Sequence, residues 1–533
     1  MGATINFKSP APKFSDSLNI FGRINSGFES NGSVFRNEGP IGFRTKKASI
    51  AAMGSYSKGN DYKDGGGNII PARLSRGTAG LSADFKMGLN KTLSLGINRN
   101  FARNTDFPTL PMDLLSDDTW MIQAKYNAGK ANKWYSNWST QVYSVFVDHL
   151  MGNEDRNPPM VLASSNANTK NIGGRTEITL QKKLSIIYFG LDSRYEFISG
   201  NRLRTMIAGP NEGKTFTDPI WQDGQIIRSG VFSDWLRQSG QFKLTFSGRL
   251  DIVNGKPGAP AESFLLLYPK VTGTDINPSF SLGISRQWTS AWFTGLWIGR
   301  GVRSANITER FINSLPIGQD PYEMMGNPNL KPEANNQADI MISFRKENVM
   351  LEFSTYYSIV DQYISSFINP DITPKFGAPG VRQFTNISRA NLYGFELSWY
   401  QNWLPQLNNQ LRISYTHGQK TSSDMPLPEI CPMNIRYKME GRFMNYKLMP
   451  FVSVRHSFAQ NRIADDFGEV ATAAFTVMDL GTKVIILKNL QSQIEVSNVF
   501  NKEYREHLSR FITPAKPLNS VGRSFIFSLS YNF

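Results

Sequence analysis

Segments of about ten residues, the length needed to cross a bilayer as a tilted strand, recur along this chain with every second side chain apolar. In "FKLTFSGRLDIV", Phe242, Leu244, Phe246, Leu250 and Ile252 share one face, and Lys243, Thr245, Ser247, Arg249 and Asp251 share the other. "LRISYTHG" sets Leu411, Ile413 and Tyr415 against Arg412, Ser414 and Thr416, and "ADIMISFR" sets Ala338, Ile340, Ile342 and Phe344 against Asp339 and Arg345. "FELSWYQNW" repeats the alternation with Phe395, Leu397, Trp399 and Trp403. A period of two is that of a strand, whose side chains point alternately to the two faces of a sheet. Full charges on the polar face demand water, which the interior of a small barrel or sandwich does not offer.

The last segment, "SFIFSLSYNF", is the most aromatic: Phe525, Phe527, Leu529, Tyr531 and Phe533 alternate with mostly polar residues. Aromatic residues near strand ends fit an interfacial girdle. No window approaches 18 apolar residues, so transmembrane helices are excluded, while a spanning barrel shows lipid only alternate residues and keeps a soluble-looking hydropathy. Connections alternate between tight ones, as in "MGLNKTLSLGI" (87–97) and "LPQLNNQLRI" (404–413), and long Pro-, Gly- and Asn-rich ones at 254–262, 304–336 and 365–391. Allowing roughly 24 residues per strand and connection gives about 22 strands. The expected fold is all-β, a transmembrane antiparallel β-barrel of about 22 strands. A soluble β-propeller is the rival, but the chain shows no repeat of 40 to 50 residues.

The net charge of +15, from 58 Lys and Arg against 43 Asp and Glu, is dispersed, without a basic run or zinc spacing, so no nucleic-acid partner is expected. The one cysteine, Cys431, allows neither an internal disulfide nor a thiolate cluster made by this chain alone. The amino terminus lacks a basic segment followed by an apolar stretch, so no secretory signal is read there. Gly-x-Ser-x-Gly, phosphate-loop and dinucleotide motifs are absent, and no enzyme activity is expected.

Three stretches resemble the TonB-dependent receptors of Gram-negative outer membranes: "GNPNLKPE" (326–333), "ISRANLYGFELSW" (387–399), and "EVSNVFNKEYREHLSRF" (495–511) followed by "GRSFIFSLSYNF". The terminal Phe533 also resembles the signal by which the barrel assembly machinery recognises its substrates. "GATINF" (2–7) is similar to the last strand of that family's plug domain, and "KSPAPKF" to the crossover into the barrel. On this resemblance residues 1–14 are a remnant of the plug end and crossover, 15–533 are the barrel, and the plug is otherwise essentially absent. The resemblance implies an outer-membrane receptor for active uptake of a scarce nutrient, a metal ion or metal chelate. It also implies contact with outer-membrane lipid and lipopolysaccharide, and coupling to the TonB energy transducer through an N-terminal region missing here. A passive diffusion porin, or uptake of a siderophore, cobalamin or saccharide, are the alternatives.

The sharpest local feature is "VDHLMGNEDRNPPM" (147–160). His149 and Met151, two apart in a strand-like stretch, project from one face about 7 Å apart. Imidazole with thioether is a soft ligand pair suited to copper. The His-x-Met pair, with "FPTLPMDLLSDDTWM" (107–121) before it, resembles the barrel half of the site in outer-membrane copper receptors, where the plug supplies the other ligands. Met112, Met121 and Met160 are candidates for a neighbouring methionine cluster. His417, His456 and His507 read as isolated surface or lumen residues. Asp117 and Asp118, beside Ser116 and Thr119, read as a turn, and "NEDRN" (153–157) as a charged turn. No cofactor is expected beyond a transported ligand, copper among the candidates.

Overall fold

The computed structural model describes residues 12–129, 134–156, 158, 160–316, 321–375, 377–513 and 516–533. The main sheet contains twenty-six strands. Twenty-two of them form a closed antiparallel barrel. The other four, Asn201–Met206, Thr215–Pro219, Asn313–Leu315 and Glu323–Met325, are short and sit in two long loops at the rim. The expected "GATINF" strand lies outside the described residues. Ser15 sits at the tight-turn end, where its amide donates to the Thr45 carbonyl over 3.1 Å.

Closure joins the two ends of the chain. Strand Asn19–Glu29 pairs with Val34–Arg44 on one side and with Ser524–Asn532 on the other, in a register running from Arg23 opposite Asn532 to Glu29 opposite Ile526. Gly22 and Phe533 exchange backbone hydrogen bonds of 2.8 and 3.0 Å at its tip. The Phe533 ring lies over Gly22, where a Cβ would come within 2.2 Å of it. Only glycine lets that ring lie flat against the wall.

The alternation in the sequence becomes the division between lipid and lumen. On the last strand Phe525, Phe527 and Tyr531 are 60%, 45% and 40% exposed on the outside. Phe242, Phe246, Leu250 and Ile252 do the same on Phe242–Lys256. Arg249 turns inward, where it grips Asp192 through two bonds of 2.8 Å and Asp251 through bonds of 2.7 and 2.5 Å. It lines a lumenal cavity of about 880 Å³. Asp251, expected to line water with it, is instead buried beneath the guanidinium. Cross-strand neighbours neutralise each other there, and a linear pattern does not show such neighbours.

Both tight connections fall where expected, leaving Leu89–Asn90 and Pro405–Gln406 between strands. The long ones are more structured than their composition implies. Strands Val349–Ile368 and Val381–Leu404 run far beyond a bilayer's thickness, so most of the expected loop 365–391 is sheet and only 369–380 connects. The segment after 256 carries a short helix, Glu262–Leu267, and 304–336 carries another, Ile307–Phe311, closed by a capping box between Asn306 and Glu309. "GNPNLKPE" ties that helix to the wall: the Asn327 amide donates to the Glu309 carbonyl and its side chain to the Phe384 carbonyl.

These loops fold over one side of the mouth and make their own core, with Ile220, Trp221, Ile312, Leu315 and Met324 buried together. Arg202, fully buried, bonds Asp218 and Glu323 at 3.2 Å each, and Glu323 also accepts from the Lys375 amide at 2.9 Å. Strand Glu323–Met325 then pairs in parallel with the start of Val381–Leu404. A charge removed from water needs partners of this quality to be tolerated.

The "NEDRN" reading holds in part: Glu154–Arg156 form a helical turn, with residue 157 outside the described set. Asp117 and Asp118 are not a turn; both lie within strand Asp113–Gly129. Asp118 faces outward and takes Arg99 and Arg103, while Asp117 faces the lumen. His507, expected at the surface or in the lumen, is instead buried in the loop 498–523 with Nδ1 2.9 Å from the Thr472 hydroxyl.

Two outcomes follow from this architecture. Phe527→Arg puts a charge on the lipid face and should hinder membrane insertion by about 2–4 kcal/mol near the midplane; normal folding yield into bilayers, read by heat-modifiable migration, would count against the outward face. Burial, aided by Arg505 and Arg510, pushes the His507 imidazole down from 6.5 to about 4. Glu469, 3.8 Å away, is too distant for a hydrogen bond and does not reverse this. The open loop therefore binds more protons than the closed one between those values, so His507 contributes stability fully above pH 6.5 and loses it as the pH falls toward 4. Hydrogen exchange in residues 498–513, corrected for intrinsic rates, should accelerate across that window in the native chain and do so less steeply in His507→Asn.

Candidate functional site at the lumenal mouth

Strand Asn137–Gly152 rises to the loop-bearing rim and presents His149 and Met151 inward, as their spacing requires. His149 lies directly opposite Asp117 in the register with Asp113–Gly129, and opposite Ala167 on its other flank. Its Nδ1 is 3.0 Å from Asp117 Oδ2. The other carboxylate oxygen accepts from the Thr119 hydroxyl at 3.0 Å. Both carboxylate oxygens are therefore engaged, which fixes the carboxylate and, through it, the ring. A carboxylate accepts only, so Nδ1 carries a proton and Nε2 is the ring nitrogen not engaged by Asp117. His149 and Asp117 are each only about a quarter to a third exposed, and Asp117 borders a lumenal cavity of about 750 Å³ that also takes in Arg36, Arg76, Glu29 and Glu38.

Met151 packs against the loop core that contains Met112 and Met324, 3% and 4% exposed, and Trp221. Met112 and Met324 thus share one apolar core, and Met151, two residues from His149 on its strand, packs against it. Met112 is the member of the expected methionine group that arrives. Met121 lies on Asp117's face of the same strand but deeper, opposite Val145, and is outside this cluster. Met160 is half exposed on the loop and also outside it. Sequence reading missed two members. Asp117 is paired to His149 only by strand register, and Met324 arrives from a loop more than 170 residues away; the adjacent Met324–Met325 pair just before "GNPNLKPE" was its only local sign.

The remaining candidates lie elsewhere. His417 points outward, stacked on Tyr393 at 4.6 Å and bonded by Arg462 at 2.7 Å. His456 is held by the Thr476 hydroxyl at 2.8 Å. Cys431 sits in the loop 421–433 and borders a separate recess with Arg462. Among the described residues no three His, Cys, Asp or Glu side chains gather as a metal site. What the mouth offers is soft: one imidazole nitrogen and thioether sulfur, without a carboxylate cage for a hard cation.

Comparison with known proteins agrees with the architecture. A family model described as "TonB dependent receptor-like, beta-barrel" matches residues 14–499. Among solved structures, the copper transporter OprC superposes with a TM-score of 0.87 at 18% identity, over 98% of this chain and 81% of that one. A variant of the FrpB iron transporter from Neisseria meningitidis gives 0.71 at 15% identity, over 97% and 81%. A mutant of the ferric enterobactin receptor PfeA from Pseudomonas aeruginosa gives 0.70 at 12%, over 98% and 81%. At these identities the likeness is one of fold. The family consists of outer-membrane transporters, not enzymes. This chain belongs to the TonB-dependent receptor family, of which it forms the outer-membrane β-barrel.

Proposed function

We propose that this barrel serves a receptor for active, TonB-coupled uptake of copper, with His149 and Met151 as the barrel's share of the metal-binding site. The observation that carries the reading is the Asp117–His149 contact beside Met151. A metal-binding histidine characteristically gives its other ring N–H to a carboxylate, which fixes the tautomer and raises ligand basicity. Here Asp117 takes Nδ1, and Nε2 with the Met151 sulfur is the donor pair left for an incoming ion. Imidazole and thioether together favour Cu(I) over Mg²⁺, Ca²⁺ or Mn²⁺, which prefer oxygen. The superposition on a copper transporter supports the same choice.

Two donors do not saturate copper. The reading therefore needs further ligands from a plug seated in the lumen, as the plug-end resemblance of residues 2–7 implies, and residues 1–14 would be the end of that plug and its crossover. The barrel alone should bind copper weakly, and a receptor with its plug tightly.

The test is made in such a complete receptor. His149→Ala with Met151→Ala should abolish copper-dependent growth under copper limitation while barrel assembly stays normal. Asp117→Asn should weaken copper binding roughly 10- to 100-fold by loosening the ring, without removing a ligand. Normal copper-limited growth of the double variant, with loss of uptake of a siderophore or saccharide instead, would overturn the assignment.

A further inference from the structure

Across the lumen from His149, the wall carries an arrangement that strand pairing by itself disfavours. In strands Leu407–Lys420, Asn434–Gly441 and Leu448–Ser457 the register sets Arg412 opposite Arg436, and Arg436 opposite Arg455. Arg412 shares its strand face with Ser414 and Thr416, which line the lumenal cavity of about 880 Å³, so the whole row faces the lumen. Like charges placed directly opposite on neighbouring strands destabilise a sheet. Strand Asn434–Gly441 stands half-way around the barrel from Asn137–Gly152, so this row is no part of the mouth site.

The three guanidinium groups are unequally satisfied. Arg455 gives a 2.5 Å bond to Glu506, which the loop 498–523 brings in, and lies 5.0 Å from the Phe475 ring. Arg412 gives a 2.7 Å bond to the Tyr400 hydroxyl, a neutral partner that holds it in direction. Among the described residues neither Arg412 nor Arg436 enters an ion pair, and both are exposed to the lumen. The carboxylates nearby serve elsewhere or stand off. Glu440 takes Lys438 at 3.3 Å and Arg442 at 3.7 Å, and Glu396 lies opposite Ser414, diagonal to Arg412 and outside ion-pair reach. One inward row closer to the loops, Ser414 faces Asn434, adding neutral hydrogen-bonding groups.

Directly opposed residues have Cβ atoms about 4.5–5.5 Å apart, so two arginines rooted there can close on a single small group. A carboxylate or phosphate accepts paired N–H bonds from a guanidinium fork, and with one fork on each side its charge cancels the repulsion between them. The bond from Arg455 to Glu506 is the same pairing already made once within the row.

We propose that Arg412 and Arg436 form an oxyanion-binding subsite of the lumen, which takes one carboxylate or phosphate group of a small solute between the two guanidinium groups. The subsite does not depend on the copper assignment, because it lies on the opposite wall and uses none of the mouth residues.

The experiment is isothermal titration calorimetry of the full chain in zwitterionic detergent, with inorganic phosphate and citrate as probes in about 0.1 M sodium chloride, where long-range attraction is largely screened. Each probe should bind once per chain and compete with the other, phosphate reporting a free oxyanion and citrate one carried on a larger solute. Arg412→Gln with Arg436→Gln should weaken both about tenfold or more. Lys243→Gln, which removes a lumenal cation on another strand, should leave both unchanged. Heat-modifiable migration checks that each variant folds. Absence of saturable binding, unchanged affinity in the folded double variant, or an equal loss in Lys243→Gln would each overturn the proposal. So would binding to this chain that disappears in a receptor carrying its plug, since the partner of the two arginines would then be a side chain of that domain and not a solute. A failed copper-uptake test would leave these titrations standing.

Discussion

Pairing of the first strand with the last is the constraint on which the rest of this protein depends. In hydrocarbon, an unpaired backbone N–H or C=O has no water to turn to, so an open sheet edge cannot face lipid. Strand Asn19–Glu29 would be such an edge, and so would Ser524–Asn532, until the two meet. Phe533, folded over Gly22, covers that seam at its tip. Once the circle closes, every strand acquires an inside and an outside, and the alternation of side chains acquires its meaning.

The inside then becomes an electrostatic problem. Arg249 between Asp192 and Asp251, and Asp117 between His149 and Thr119, show the same solution: each charge or polar donor is met by a neighbour on an adjacent strand or two residues along its own. Such pairs keep the lumen wall polar while limiting the desolvation of any one group. Opposite charges also hold long side chains in fixed directions, and a ligand-bearing wall needs that rigidity. At the mouth the solution changes, because the loops bring apolar side chains inward and fasten them with a buried ion pair, Arg202 with Glu323. Met112, Met151 and Met324 are held in that apolar core, next to the polar wall that holds His149. On the proposed copper reading, the boundary between the two environments is where the ion would find both a nitrogen donor and sulfur.

Membership of the TonB-dependent receptors gives this boundary its context, since the members of that family are outer-membrane transporters. The outer surface answers to a different medium. There the same alternating strands present exposed rings, the Arg99–Asp118–Arg103 ion pairs and an apolar hollow to the lipid.

The sequence by itself determined the class of fold, the strand number and which face of each strand meets lipid, because period-two alternation and segment length are local properties written residue by residue. It also determined that His149 and Met151 share a face, since that needs only their spacing. It misread Asp117 and Asp118 as a turn, the extent of the sheet between 365 and 391, and the setting of His507. Each of those depends on what lies across a strand or beneath a loop. Only the tertiary structure decided that Asp117 holds His149 and that Met324 joins the core against which Met151 packs. Register between strands and the folding of long loops join residues far apart in the chain, and no local period encodes that meeting.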